Sequence, residues 1–454
     1  MTLIRKLLIG LGAVLIAGLA GVPIWLFVAP PELLRVADGY AAKIVCSNVF
    51  LAGRDAQAVL AEDVQAPGNP ALKLVKIKVD TEAHRVTARF LGLFAPSGAL
   101  YREGLGCASV PDRNWTAAQS AHLTEAPVIA PETDALWPEG SRDETAPSPA
   151  IAKILADPQL TGPGMRAVLI IKDGRIVAET YGKGFTAQTR LLGWSMTKTV
   201  NAALIGRLVQ AGKLSLEDKA LLPQWSDARG DIRLRDLTAM KSGLAFNEDY
   251  GDVSDVSRML YVQPDMAAFA AAMPLTAKPG TAYSYSTGTS FILARIWMNK
   301  LGAQALPYPR EALFGPLGMT SAVLETDEHG TFAAGSYLYA TPRDWARFGQ
   351  LLLQDGVWDG ERLLPENFVG LMRTSNGSAQ GYTQMQTWLK GPGESDTGHS
   401  AGLPADTFWL RGHDGQSITI MPSHNLIVLR MGLTPWDTGY RPEALVRAVV
   451  EASK

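Results

Sequence analysis

Cysteine is scarce in this chain: there are two, Cys46 and Cys107, in 454 residues. Neither belongs to a Cys-x-x-Cys pair, which excludes the zinc and dithiol motifs built on that spacing. If the protein is exported, the two form one disulfide; otherwise they are two buried thiols. Histidine is scarce too. The six, at 84, 122, 329, 399, 413 and 424, contain no His-x-x-x-His pair, so no helical metal site is expected. Lys and Arg form no run or patch and the net charge is −2, which argues against a nucleic-acid partner. Gly182-Lys183-Gly184 lacks the Gly-x-x-x-x-Gly-Lys spacing of a phosphate loop. There is no internal repeat. Nothing in these absences calls for a metal or an organic cofactor.

What is present is a globular composition, 47% hydrophobic and 19% charged, long enough for two or three domains. The first stretch is an exception. Residues 7–29 carry no charge and follow Arg5 and Lys6. A run of this length spans a bilayer as a helix, and basic residues ahead of it keep the N-terminus inside. A transmembrane anchor over residues 1–31 is therefore expected, with the catalytic domain outside the cytoplasm. The competing readings are a signal peptide cleaved near Gly18-Leu19-Ala20 and a buried helix.

Residues 32–125 read as a small β-rich accessory unit, with strands expected over Val45–Leu51, Leu72–Val79 and His84–Phe90. Residues 126–150, rich in Pro, Asp, Glu and Ser, read as a linker. From 151 to 454 the pattern is one large mixed α/β unit. Ala167–Lys172, Asp173-Gly174 and Arg175–Tyr181 form a strong hairpin signal. Two further strands, Ser417–Met421 and Leu426–Met431, come late, and helices fill the interval. That order implies a sheet built from both ends of the unit with a helical cluster inserted.

Chemistry concentrates at Gly193-Trp194-Ser195-Met196-Thr197-Lys198. The residues after it have helical periodicity, so Ser195 and Lys198 lie one turn apart on one face. A serine hydroxyl needs an adjacent base, and a desolvated lysine near a helix N-terminus is one. By itself Ser-x-x-Lys is a weak signal, and the motif alone favours a helix cap followed by a surface lysine. Tyr283-Ser-Tyr285-Ser-Thr287 is dense in hydroxyls ahead of another helix; a tyrosine there is either a proton relay or a packed turn residue. Gly412-His413-Asp414-Gly415-Gln416 precedes a strand, where glycines admit a substrate and a backbone N–H completes an oxyanion hole with that of Ser195. Gly398-His399-Ser400-Ala401-Gly402 imitates the lipase Gly-x-Ser-x-Gly. It lacks the strand before and the helix after that this motif requires, so Ser400 is not the expected nucleophile.

Taken in order, Ser195-Met-Thr-Lys198, Tyr285-Ser-Thr287 and His413-Asp-Gly415 resemble the serine β-lactamase and penicillin-binding-protein superfamily. Its motifs run Ser-x-x-Lys, Tyr-x-Asn or Ser-x-Asn, then Lys-Thr-Gly or His-x-Gly. The closer likeness is to class C β-lactamase-related serine hydrolases, in the branch with 6-aminohexanoate-dimer hydrolase. Met240-Lys-Ser-Gly-Leu244, Pro279-Gly280, Leu317-Gly-Met319 and Asp344-Trp-Ala-Arg-Phe-Gly349 add to it. The resemblance implies an antiparallel sheet flanked by helices plus an all-helical subdomain, and a cofactor-free serine hydrolase. It implies Ser195 as nucleophile, Lys198 and Tyr285 as the acid–base pair, and the N–H groups of Ser195 and Gln416 as oxyanion hole. His413, Gly415, Thr287 and Tyr250 are implied as substrate contacts, the substrate being a small amide or ester.

Two departures stand out. Thr287 replaces an Asn whose amide helps hold the lysine. His413 replaces a Lys, and an imidazole is mostly neutral at pH 7. Both count against efficient β-lactam hydrolysis and toward an amidase or esterase. The alternatives are a β-lactamase or D-Ala-D-Ala peptidase acting on cell-wall peptides, and a non-catalytic binding or sensor protein keeping the fold.

Overall fold

The computed structural model describes residues 21–453, apart from 67–68, 124–132, 144 and 394–401. Its centre is a five-stranded antiparallel sheet. The strands are β5 (Met165–Lys172), β6 (Arg175–Tyr181), β7 (Phe408–Arg411), β8 (Ser417–Met421) and β9 (Leu426–Gly432), ordered β7-β8-β9-β5-β6. The β5–β6 turn has positive φ at both Asp173 and Gly174, the geometry that suits a two-residue hairpin. The β9–β5 pairing closes the sheet across some 250 residues, setting Val428 opposite Ile170 and Leu429 opposite Leu169.

Side chains alternate across this sheet. Ala167, Leu169, Ile171, Ile418, Ile420, Ile427 and Leu429 join the larger core, while Val168, Ile170, Val428 and Leu426 join a second cluster. The second cluster is capped by α2 (Pro149–Ala156) and α8 (Glu443–Ala452), through Ile151, Ile154, Leu445 and Val449. On the other face sits α7 (Pro342–Leu353), with Trp345 and Phe348 fully buried, and α3 (Thr197–Gln210) lies in the same core. The helices α4 (Asp255–Val262), α5 (Met266–Ala271) and α6 (Thr287–Leu301) lie in the inserted helical cluster.

The N-terminal unit is a helix, α1 (Glu32–Phe50), laid across a four-stranded antiparallel sheet, β1 (Val75–Asp80), β2 (Arg85–Phe90), β3 (Phe94–Arg102) and β4 (Gly106–Val110). Two of the expected strands are present as β1 and β2. The third is corrected: Val45–Leu51 belongs to α1 and its ending. Residues 41–48 are buried on every side, because the sheet covers one face and α4 the other. Polar residues therefore mark no helical face, and Val45 and Val49 bias the reading toward a strand. At the crossing with α4, a Cβ on Gly39 would lie 2.4 Å from the carbonyl oxygen of Tyr261.

This unit is bolted to the rest of the protein. Lys43 and Glu325, both buried, form an ion pair. Glu325 also accepts from the Ser47 hydroxyl at 2.9 Å and from the Cys107 N–H at 2.6 Å. Next to this network Cys46 and Cys107 are disulfide-bonded, tying α1 to β4 with Cα atoms 6.1 Å apart. The Pro-rich segment is also pinned where it is described. Trp137 is buried, and Arg347 donates to the carbonyls of Pro138 and Gly140 at 3.0 and 2.6 Å.

The transmembrane anchor expected over residues 1–31, and with it a membrane-held domain outside the cytoplasm, is corrected. Among the described residues no helix is long and apolar enough to cross a membrane. Residues 7–20 of the apolar run lie outside the described residues. Residues 21–28 are helical, and Pro30 and Pro31 interrupt the chain before α1, since proline removes a donor and restricts its predecessor. The helix beyond that break buries Asp38 and Lys43 inside the protein, so it does not prolong the apolar run.

Candidate active site

Ser195 sits in a 3₁₀ turn, Trp194–Met196, that leads directly into α3. The turn is tight. Trp194 has φ +47°, a left-handed conformation uncommon for a bulky residue, and a Cβ on Gly193 would lie 2.1 Å from the Trp345 ring. The turn leaves Ser195 partly exposed while Lys198, in the first turn of α3, is buried.

The lysine is fully occupied. Its Nζ donates to Ser195 Oγ at 2.9 Å, to Thr287 Oγ1 at 2.9 Å and to the Gly335 carbonyl at 2.8 Å. Burial pushes its pKa down to about 8, against the opposing pull of Glu248. An ammonium in this position gives up its proton far more readily than a solvated lysine. Tyr285 lies against the pair: Lys198 Nζ is 4.9 Å from its ring centroid, and Ser195 acts on its hydroxyl. Burial raises the Tyr285 pKa, so its proton stays on at neutral pH.

Thr287 opens α6, with the Ser286 side chain capping the helix. Its hydroxyl accepts from Lys198 and donates to Glu248, and its N–H donates to Glu248 Oε2 at 2.7 Å. The lysine therefore does not lose its support with the missing Asn: a threonine and a carboxylate share the work. Glu248 was not singled out by the sequence reading. The available signal was an acidic residue two positions before Tyr250, in a loop already assigned to the site. Burial raises its pKa.

Tyr250 donates its hydroxyl to Thr287 Oγ1 at 3.3 Å, since the threonine proton goes to Glu248. Its ring stacks on His413, with centroids 4.9 Å apart at 23°, and Trp194 meets both edge-on. His413 is in the turn between β7 and β8 and is 42% exposed. Gly415, at φ +81°, lets the turn pass Arg430, whose Nη1 a Cβ there would approach to 2.8 Å. The Gln416 side chain holds the turn closed through the carbonyls of His413 and Asp414 at 3.1 and 3.2 Å, and its Oε1 accepts from the Gly432 N–H at 2.9 Å. A Cβ on Gly412 would lie 2.4 Å from the Gly193 carbonyl, so this turn presses on the Ser195 turn. The three sequence motifs meet here. Ser400 lies outside the described residues. Among the described residues no three His, Cys, Asp or Glu side chains are gathered as metal ligands.

A family model for Beta-lactamase matches residues 155–439. The chain belongs to the β-lactamase family. With it comes membership of the wider serine hydrolase superfamily. Protein Rv1367c of Mycobacterium tuberculosis is 29% identical over 234 residues, 40% of this chain and 58% of that protein. The chain thus matches less than two thirds of that relative's length. The 6-aminohexanoate-dimer hydrolase of Paenarthrobacter ureafaciens is 21% identical over 297 residues, 59% of this chain and 72% of that protein. A solved structure from Bacillus anthracis, assigned as a 6-aminohexanoate-dimer hydrolase, superposes with a TM-score of 0.57 at 20% identity, over 75% of this chain and 94% of that one. That likeness is one of fold: a β-lactamase-like sheet flanked by helices.

Proposed function

We propose that this β-lactamase family member hydrolyses amide or ester bonds of small molecules through an acyl-enzyme on Ser195. The observation that carries the reading is the 2.9 Å contact between Ser195 Oγ and the Nζ of a buried lysine. Lys198, in its neutral form, takes the serine proton as Oγ bonds to the substrate carbonyl carbon. The N–H groups of Ser195 and Gln416 receive the oxyanion. The tetrahedral intermediate collapses as the C–N or C–O bond breaks, and the leaving amine or alcohol takes a proton through Tyr285, which Lys198 resupplies. Water then attacks the ester on Ser195 by the same route in reverse and releases the acid. Residues 151–454 form the hydrolase domain in this reading and residues 32–125 an accessory unit. Tyr250 and His413 form one wall of the substrate cleft.

The test is labelling with a fluorophosphonate, followed by peptide mapping. The adduct is expected on Ser195 and is lost in Ser195→Ala. Label on Ser400, or on no serine, would overturn the assignment. Turnover of nitrocefin well above that of aryl esters would move the reading to a β-lactamase.

A further inference from the structure

Residues 325–337 join the N-terminal unit to the nucleophile turn. They close on themselves as a loop: the Glu325 N–H donates to the Tyr337 carbonyl at 2.9 Å, and the Ala333 N–H to the Glu325 carbonyl at 2.8 Å. One side of the loop serves the turn. The Gly335 carbonyl accepts from Lys198 Nζ at 2.8 Å, and the Tyr337 ring packs on Trp194, the neighbour of Ser195, with centroids 5.9 Å apart. One residue on, the Leu338 carbonyl accepts from the Gly193 N–H at 3.0 Å, and the Leu338 N–H donates to Thr197 Oγ1 at 3.3 Å. The other side is gripped by the N-terminal unit. Lys43 Nζ pairs with the Glu325 carboxylate and lies 3.8 Å from the Tyr337 ring centroid, so one buried ammonium touches both ends of the loop. Arg102 donates to the carbonyls of Thr326 and Asp327 at 3.2 and 2.9 Å, and the Thr326 N–H donates to the Leu105 carbonyl at 3.2 Å. The fit is close. At Gly106, where φ is +63°, a Cβ would lie 2.5 Å from Glu325 Cγ, and at Gly335 it would lie 3.1 Å from Thr287 Cγ2.

We infer that Lys43 is a positioning residue for the acyl-transfer site: through Glu325 and the Tyr337 ring it fixes the 325–337 loop, and with it the Gly335 carbonyl that aims Lys198 at Ser195. The inference rests on the acyl-enzyme reading, in which Lys198 is the base. It gives the N-terminal unit a part in the reaction as well as in stability. A buried ion pair adds little net stability over an apolar pair of the same size. What it adds here is direction. The ammonium must meet a carboxylate oxygen and a ring face at once, which fixes one register of the loop. The active site is sensitive to that register, because a general base has to stay within hydrogen-bond reach of the proton it takes. A carbonyl that accepts from an ammonium also favours its charged form, so a loosened Gly335 lowers the Lys198 pKa. Glu248 and Tyr285, the titratable groups that face Lys198, belong to other segments and stay in place when the loop shifts.

The experiment follows 4-nitrophenyl acetate hydrolysis by the full-length protein across pH. The main variant is Lys43→Met with Glu325→Leu, which leaves no unpaired charge buried. Its kcat should fall about 10- to 100-fold, the cost of a misplacement of about 1 Å, with KM little changed. The acidic limb of kcat/KM should move to lower pH by about half a unit to one unit, the worth of a weakened hydrogen bond to a charged group. Glu325→Gln keeps an acceptor for the Cys107 N–H and gives up the ion pair, and should show both changes to a smaller extent. Ile151→Ala, in the cluster on the opposite face of the central sheet, lowers stability without touching the loop and should leave kcat and the limb where they are. Wild-type kcat in the folded variants, or a limb that stays in place, would refute the positioning role. Equal changes in Ile151→Ala would refute it too, reducing the pair to general stability. If fluorophosphonate marks Ser195 in wild type while the Lys43 and Glu325 variants are unaltered, the positioning role alone fails. If Ser195 is not marked in wild type, the acyl-enzyme reading fails and this inference with it.

Discussion

Lys198 Nζ and Thr287 Oγ1 are 2.9 Å apart, joined across 89 residues of sequence. The threonine hydroxyl has one proton, which it gives to Glu248, so toward the lysine it acts as acceptor. The result is a line from Ser195 through Lys198 and Thr287 to a carboxylate. It lets a hydroxyl hold a lysine that an asparagine amide holds in other members of the superfamily. The negative end of the line also sets how readily the lysine gives up its proton.

The pH profile follows from that line. In the proposed mechanism Lys198 accepts the serine proton only when neutral, and burial brings its pKa to about 8. kcat/KM on an aryl ester should rise about tenfold per pH unit below that value and level off above it. Glu248 raises the lysine pKa through its charge. In Glu248→Gln the acidic limb should therefore move to lower pH. A limb that stays in place, or moves upward, would show that Glu248 does not act on Lys198.

Thr287→Val keeps the shape and removes the bridge. Lys198 and Glu248 then each lose a buried hydrogen bond, at a cost of about 1–3 kcal/mol. The loss should appear as a drop in kcat of about 10- to 100-fold with little change in KM. Thr287→Ser should retain most of the rate. Wild-type kcat in the valine variant would contradict the bridge.

The N-terminal unit should matter to stability through one buried pair. Lys43→Met leaves the Glu325 carboxylate without its cation in a site where both side chains are at most 1% exposed. Breaking such a pair costs about 3–5 kcal/mol. The double variant Lys43→Met with Glu325→Leu should recover much of it, because no charge remains buried. Urea denaturation measures both, and identical losses in the single and double variants would rule this account out.

Reduction of the Cys46–Cys107 bond releases a loop closed over a separation of 61 residues. Loop entropy puts the loss at about 4 kcal/mol. Cys46→Ser should unfold at lower urea concentration than wild type by an amount of that order. No shift in the midpoint would mean that α1 is held to β4 by packing and the Lys43–Glu325 pair alone.

Much of this protein is local, and local features are legible. The β5–β6 hairpin is written in Asp173-Gly174, which tolerate positive φ, between alternating apolar runs. The Ser195 helix and the late strands follow from periodicity in the same way. Ser195, Lys198, Tyr285, Thr287 and His413 were found because each belongs to a short motif whose order is itself a signal. Val45–Leu51 was misread because α1 is covered on both sides, which erases the polar face that marks a helix.

What the amino-acid sequence determined alone was the hairpin, the helix bearing Ser195 and Lys198, and the identity of the residues that meet in the cleft. Each of these depends on neighbours a few positions apart. Tertiary structure decided who serves the lysine and what surrounds each buried charge. Glu248 reaches Lys198 through Thr287, 39 residues away, and Lys43 finds Glu325 across 282 residues. Arg411 acquires its aromatic seat from Trp388 by the same kind of approach. The physical reason is common to the three. A buried charge is governed by whatever the fold packs around it, and no spacing along the chain encodes that.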